Sequence, residues 1–141
     1  MTAWISNGAV IAVGDGASPE VFTTIGEVLT IDGPKESRPI IDTSTLSSSI
    51  RSGKVGLRDG GTVAVTCHLD PATTAQDTVY THFTAATGTE KNYRITLTDT
   101  SPAETITFAA VVQEYGGPEI AIDQTIKLSF TLKVVAAPTY A

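Results

Sequence analysis

The clearest pattern in the chain is a strict apolar–polar alternation from Thr125 to Val134. Ile126, Leu128, Phe130, Leu132 and Val134 share one face, and Thr125, Lys127, Ser129, Thr131 and Lys133 the other. A period of two over this length predicts a strand with one buried and one wet face. A second alternation runs from Thr62 to Leu69, after the turn signal Asp59-Gly60-Gly61 and before Asp70-Pro71. Tyr93, Ile95 and Leu97 alternate with Arg94, Thr96 and Thr98 in a third. Glu104–Gln113 forms a fourth, bounded by Ser101-Pro102 and by Gly116-Gly117-Pro118. Phe22–Ile31 and Pro39–Leu46 read as two further strands around Asp32-Gly33-Pro34, and a short one spans Val10–Val13.

One segment departs from the period of two. Between Pro71 and Gly88, Val79, Phe83 and Ala86 recur at helical spacing, with Tyr80 beside them. Thr73 with Gln76, or Thr74 with Asp77, suits a capping box, and Gly88 is a natural stop. The spacing predicts one helix over about residues 74–87. Its threonines are poor helix formers, so it depends on docking an apolar stripe against a sheet. The expectation is a mainly β domain of six or seven strands with one flanking helix.

Composition narrows the function classes. Hydrophobic residues are 41% and charged residues 17% of the 141, too apolar for a disordered tail. No apolar run approaches the roughly 20 residues that a membrane helix requires. The net charge of −6 argues against gripping nucleic acid through a basic face. One cysteine excludes an internal disulfide and a multi-cysteine zinc site. The N-terminal Met1–Asn7 shows no basic region followed by an apolar stretch, so no signal peptide is expected.

The candidate chemistry does not assemble into a catalytic set. Cys67 shares a strand face with Val63, Val65 and Leu69, whereas adjacent His68 must point the other way. A Cys67–His68 dyad is excluded on that strand. Gly53-Lys54 is followed by Val55 where a phosphate loop needs Ser or Thr. Gly14-Asp15-Gly16 lacks the third glycine of a dinucleotide fingerprint, and no calcium-loop spacing of Asp occurs. No enzyme, metal or cofactor is expected.

The stretch Ser47–Gly60 carries no clear secondary-structure signal. Its surroundings are charge-biased: no acid lies between Asp42 and Asp59, while Arg51, Lys54 and Arg58 do. Loops of this length in compact domains are usually functional or disordered.

Two segments carry a family resemblance. One is Phe22–Leu46, with Gly26-Glu27-Val28, Gly33-Pro34 and Asp42-Thr43-Ser44-Thr45-Leu46. The other is Gly56-Leu57-Arg58-Asp59-Gly60-Gly61, followed by Leu69-Asp70-Pro71. In order and spacing, across about Pro19–Val135, they resemble the major tail tube proteins of long-tailed, lambda-like phages and of related gene-transfer particles. Ser44 stands where that family usually has Thr. The resemblance implies a β-sandwich or barrel-like tail tube fold with a flanking helix. It also implies a single domain over 1–141, without the immunoglobulin-like domain that some relatives add after the last strand.

By the same resemblance, copies assemble as six-membered rings that stack head to tail around a lumen through which the genome leaves. Implied partners are a tape-measure protein, a tail terminator, and distal tail or initiator proteins. DNA would pass without specific binding, no membrane is involved, and the place is the virion tail, assembled in the bacterial cytoplasm. Arg51, Lys54 and Arg58 are expected to form a ring-stacking loop, and Lys127, Ser129, Thr131 and Lys133 part of the inter-subunit sheet. The alternatives are another tail component of similar fold, terminator- or connector-like, or a carbohydrate-binding adhesion module. Aromatic platforms for sugar are scarce: aromatics are 6% of the chain, with one tryptophan, Trp4.

Overall fold

The computed structural model describes residues 8–16, 18–72, 74–85, 90–98, 100 and 102–141. In chain order the strands are β1 (Val10–Gly14), β2 (Phe22–Ile25), β3 (Val28–Asp32), β4 (Ile40–Asp42), β5 (Gly53–Val55) and β6 (Thr62–His68). The helix α1 (Thr74–Thr84) follows, then β7 (Lys91–Leu97), β8 (Glu104–Glu119), β9 (Lys127–Val134) and β10 (Thr139–Tyr140). One antiparallel sheet runs β2-β1-β7-β8-β9-β6-β3, with β10 added beside β8. The pair β4-β5 stands apart from it.

The sixteen-residue β8 turns this sheet into a sandwich. Its first part, Glu104–Ala110, pairs with β7, and Ala110–Glu119 pairs with β9. A register shift between Val112 and Glu114 inserts an extra residue there. Such bulges bend and twist a strand and let it pass from one layer to the next. The shift also resets side-chain parity. Ile106, Phe108 and Ala110 face the core before it, and Tyr115, opposite Phe130, packs against the core after it.

Between the layers lie Ile11 and Val13 of β1, Val63, Val65 and Cys67 of β6, Tyr93 and Ile95 of β7, and Leu128, Phe130, Leu132 and Val134 of β9. Each fully buried side chain of this size contributes about 1.5–3 kcal/mol. The alternations read for β6 and β9 are therefore their core faces, except at Ile126, which precedes β9 and is exposed.

The helix closes the end of the sandwich at Cys67 and Tyr115. Ala75, Gln76 and Val79 are its buried residues. The Gln76 side-chain amide donates to the His68 carbonyl at 2.9 Å, and its carbonyl accepts from the Asp70 N–H at 3.1 Å. His82 Nδ1 lies 3.1 Å from the Tyr93 hydroxyl. Burial, and secondarily the Lys91 charge, hold the His82 imidazole below its usual range. The Thr78 and Thr81 hydroxyls donate back to the Thr74 and Asp77 carbonyls, the local bonding that weakens threonine as a helix former. The expected helix end at residues 86–87, the Gly88 stop and the Thr73 cap lie outside the described residues.

Several expectations change. Phe22–Ile31 is two strands, because Glu27 adopts a left-handed backbone (φ 60°) between β2 and β3. Glu104–Gln113 continues to Glu119: Gly117 and Pro118 fall in a second register shift and do not end the strand. Pro39–Leu46 shortens to Ile40–Asp42, and the stretch Ser47–Gly60 contains β5.

Candidate assembly interface

Three features point outward from this body: a projecting hairpin, an uncovered polar sheet face, and two free strand edges.

The hairpin leaves after β3 and returns into β6. Ile40 pairs with Val55, Ile41 with Lys54 and Asp42 with Gly53. The Thr43 N–H extends the ladder to the Ser52 carbonyl at 3.0 Å. Every residue of β4 and β5 is exposed. Ile40 keeps 70% of its surface in water and Leu57 90%, while Leu46 and Ile50 near the tip are similarly open. An isolated two-stranded hairpin is marginal in water, and a cluster of exposed apolar side chains marks an interaction surface.

The root of the hairpin is fixed by backbone. Ser37 and Asp59 exchange N–H···O bonds of 3.0 and 2.7 Å, and the Gly56 N–H donates to the Pro39 carbonyl at 2.7 Å. Gly61 has φ +76°, and a Cβ there would collide with the Lys35 carbonyl. The chain entering the hairpin thus crosses the chain leaving it at a point where only glycine fits. The Asp59 carboxylate accepts from the Lys133 amine of β9 and, at 2.9 Å, from the Gly61 N–H. Those bonds, that of Lys133 first, hold its carboxyl below the usual carboxylate range. Asp42 is lowered in the same way by the Ser44 N–H at 2.8 Å.

The three expected stacking cations lie along this arm at different heights. Arg51 is 3.4 Å from the Asp42 carboxylate near the tip, and Arg58 is 3.1 Å from Glu36 near the root. Lys54 lies in β5 opposite Ile41 and has no acidic partner among the described residues. The fold returns Glu36 and Asp42, from outside the acid-free stretch, to two of its cations.

The polar face belongs to β8 beyond Ala110, β9, β6 and β3, four strands in succession. Its cross-strand rows follow from the register. Glu114, Thr131, Ala64 and Asp32 form one; Gly116, Ser129, Thr66 and Thr30 the next; Glu119, Lys127 and His68 a third. Lys127, Ser129, Thr131 and Lys133 are thus the spine of this face, on a strand paired along both edges.

Among the described residues this half-sheet has two free edges: β3 pairs only with β6, and β8 beyond Ala110 has no partner on its β7 side. Unpaired edges of this kind are templates for another chain.

Among the described residues Cys67 and His68 do not form a catalytic pair. Cys67 is buried, and burial raises its thiol pKa. His68, on the other face, has Nδ1 2.8 Å from the Thr125 hydroxyl. No group of three or more His, Cys, Asp or Glu residues suited to a metal ion occurs among the described residues. Among those residues no helix is long and apolar enough to cross a membrane.

The architecture defined by these features is the tail tube fold, and comparison with solved structures shows it directly. The chain superposes on the tail of an empty gene transfer agent particle with a TM-score of 0.72 at 12% identity, covering 97% of this chain and 99% of that one. It matches the SPP1 tail tube with a TM-score of 0.71 at 10% identity over 98% and 78% of the two chains. A sheath/tube terminator of an extracellular contractile injection system gives 0.77 at 13% identity over 100% and 98%. No protein-family model matches the chain, and no curated protein matches it by sequence.

Proposed function

We propose that this chain is the structural subunit of a phage-type tail tube. Six copies close into a ring, rings stack head to tail, and the lumen conducts DNA during ejection. The observation that carries this reading is the four-stranded half-sheet, polar on its outer face and, among the described residues, free at both edges. Successive antiparallel strands give β8 and β3 opposite directions, and rotation about a tube axis preserves them. The β3 edge of one copy therefore meets the β8 edge of the next in antiparallel orientation. Four strands from each of six copies close a barrel, which removes every edge. The number six rests on the C6 symmetry of the matched gene transfer agent tail.

The face lining the lumen is then built of short hydroxyl side chains with Asp32, Glu114 and Glu119. Of its lysines, Lys133 is already held by Asp59. Such a wall repels phosphates and does not grip them. Negligible affinity for duplex DNA at physiological salt is expected, and a micromolar complex contradicts a passive conduit. The role is architectural and non-enzymatic, in the virion tail assembled in the bacterial cytoplasm. Tape-measure, terminator and distal or initiator proteins are its tail partners.

The β4–β5 hairpin is the stacking element of this reading. Six copies, each at −6, bring −36 to a ring, so stacking needs local charge complementarity. Of Arg51, Lys54 and Arg58 on this arm, Lys54 supplies it without an acidic partner among the described residues, Arg51 and Arg58 share their charge with Asp42 and Glu36, and Ile40, Ile41 and Leu57 give apolar contact. The test is the double variant Arg51→Glu, Lys54→Glu, imaged in assembled particles. Short or absent tubes are expected; tubes of normal length and yield discard the stacking role.

A second reading, a terminator capping such a tube, is favoured by the match to the tube terminator. Copy number in purified particles separates the two. A tube subunit is present in many rings, a terminator in one.

A further inference from the structure

The two free edges of the half-sheet differ in what lies on their core side. Beside β8, the Tyr115 ring meets Tyr80 of α1 edge-on at 5.0 Å between centroids and stacks on Phe83 at 6.1 Å. Tyr80 and Phe83 still expose nearly half their surfaces, 49% and 42%. Beside β3 the opposite shape occurs. The bulge residue Leu29 is 44% exposed at the mouth of a groove of about 570 Å³, walled by Val28, Ile31, Ile95, Leu97 and Ile106. One edge carries an aromatic knob and the other an apolar hollow.

Register aligns the two. Tyr115 is opposite Phe130, Phe130 opposite Val65, and Val65 opposite Ile31. Tyr115 and Ile31 thus stand in one cross-strand row at opposite edges. When the β3 edge of one copy pairs with the β8 edge of the next, the hollow and the knob face each other across the seam, offset along the strands by the stagger that barrel closure requires.

We infer that Tyr80, Phe83 and Tyr115 form the anchor of the lateral contact within a ring, seated against Leu29 and Ile31 at the groove of a second copy of this chain. This rests on the β3–β8 edge pairing proposed above. Backbone ladders alone are indifferent to register, whereas an aromatic knob in an apolar hollow fixes it, as buried aromatic anchors do in other interfaces.

Two variants of the full chain test it in assembled particles. In Tyr80→Ser, Phe83→Ser, far-UV circular dichroism should stay that of the parent, while ring formation needs at least a tenfold higher protein concentration. In Leu29→Cys, Phe83→Cys, a short bis-maleimide should yield covalent ladders up to six subunits on denaturing gels; each single variant should yield none, since Cys67 is buried. Normal six-membered rings without the ladder, or cross-links confined to one subunit, overturn the anchor and leave ring closure standing. Parent particles without six-membered rings overturn both.

Discussion

The sandwich body and the β4–β5 hairpin solve opposite problems with similar residues. In the body, Val63, Val65, Phe130 and Leu132 are buried between layers. In the hairpin, Ile40, Ile41 and Val55 lie in equally good β segments, yet all three stay open to water. One set stabilises the fold of a single chain. The other is left exposed, as the stacking contact proposed for it requires.

The largest expected effect separates these roles. Phe130→Ala removes a ring at the centre of the core and should cost about 3–5 kcal/mol of unfolding free energy in urea titrations. Ile41→Ser, on the hairpin, should leave the urea midpoint nearly unchanged while abolishing tubes in electron micrographs. A hairpin substitution as destabilising as the core one would erase the distinction. Next comes Gly61→Ala at the root, where both the left-handed backbone and the Lys35 carbonyl oppose a side chain. A loss of about 2 kcal/mol is expected from thermal melts.

The helix gives a smaller, pH-dependent effect. Burial lowers the His82 pKa in the folded chain, so the unfolded chain holds the proton more tightly. His82 therefore contributes its full stability above the ordinary imidazole value of 6.5 and loses it as pH falls through the folded value. The melting temperature should decline on acidification below pH 6.5, and His82→Gln should flatten that decline. The smallest change is Glu27→Gly, which relieves the left-handed backbone between β2 and β3. A gain of about 0.5–1 kcal/mol in chemical denaturation is expected, less glycine's own entropic cost.

What was legible in the sequence follows the same division. Strands buried on one face, β6, β7 and β9, announce themselves by period two because the core imposes it. The β2–β3 corner was hidden, since a non-glycine residue supplies the left-handed turn. The extension of β8 was hidden because Gly116-Gly117-Pro118 reads as a stop, although a bulge at a free edge accommodates proline without losing a ladder bond. β5 has too few residues and too much glycine to signal itself; its pairing with β4 defines it.

The interface was less legible than the fold. The acid-free run around Arg51, Lys54 and Arg58 was visible, but its pairing with Glu36 and Asp42 depends on the hairpin closing. The polar face of β9 was visible too, whereas its place between β8 and β6 was not, because strand order is not written in local periodicity. Asp59 read only as a turn former; its clamp on Lys133 spans 74 positions in sequence.

The central claim is that this half-sheet is completed by copies of itself. A helical reconstruction of tubes from purified particles tests it most directly. The account predicts a continuous barrel of four strands per subunit, with β3 of one copy bonded to β8 of the next and the Ser129–Thr131 face toward the lumen. A map in which both edges end in solvent, or in which that face points outward, contradicts it.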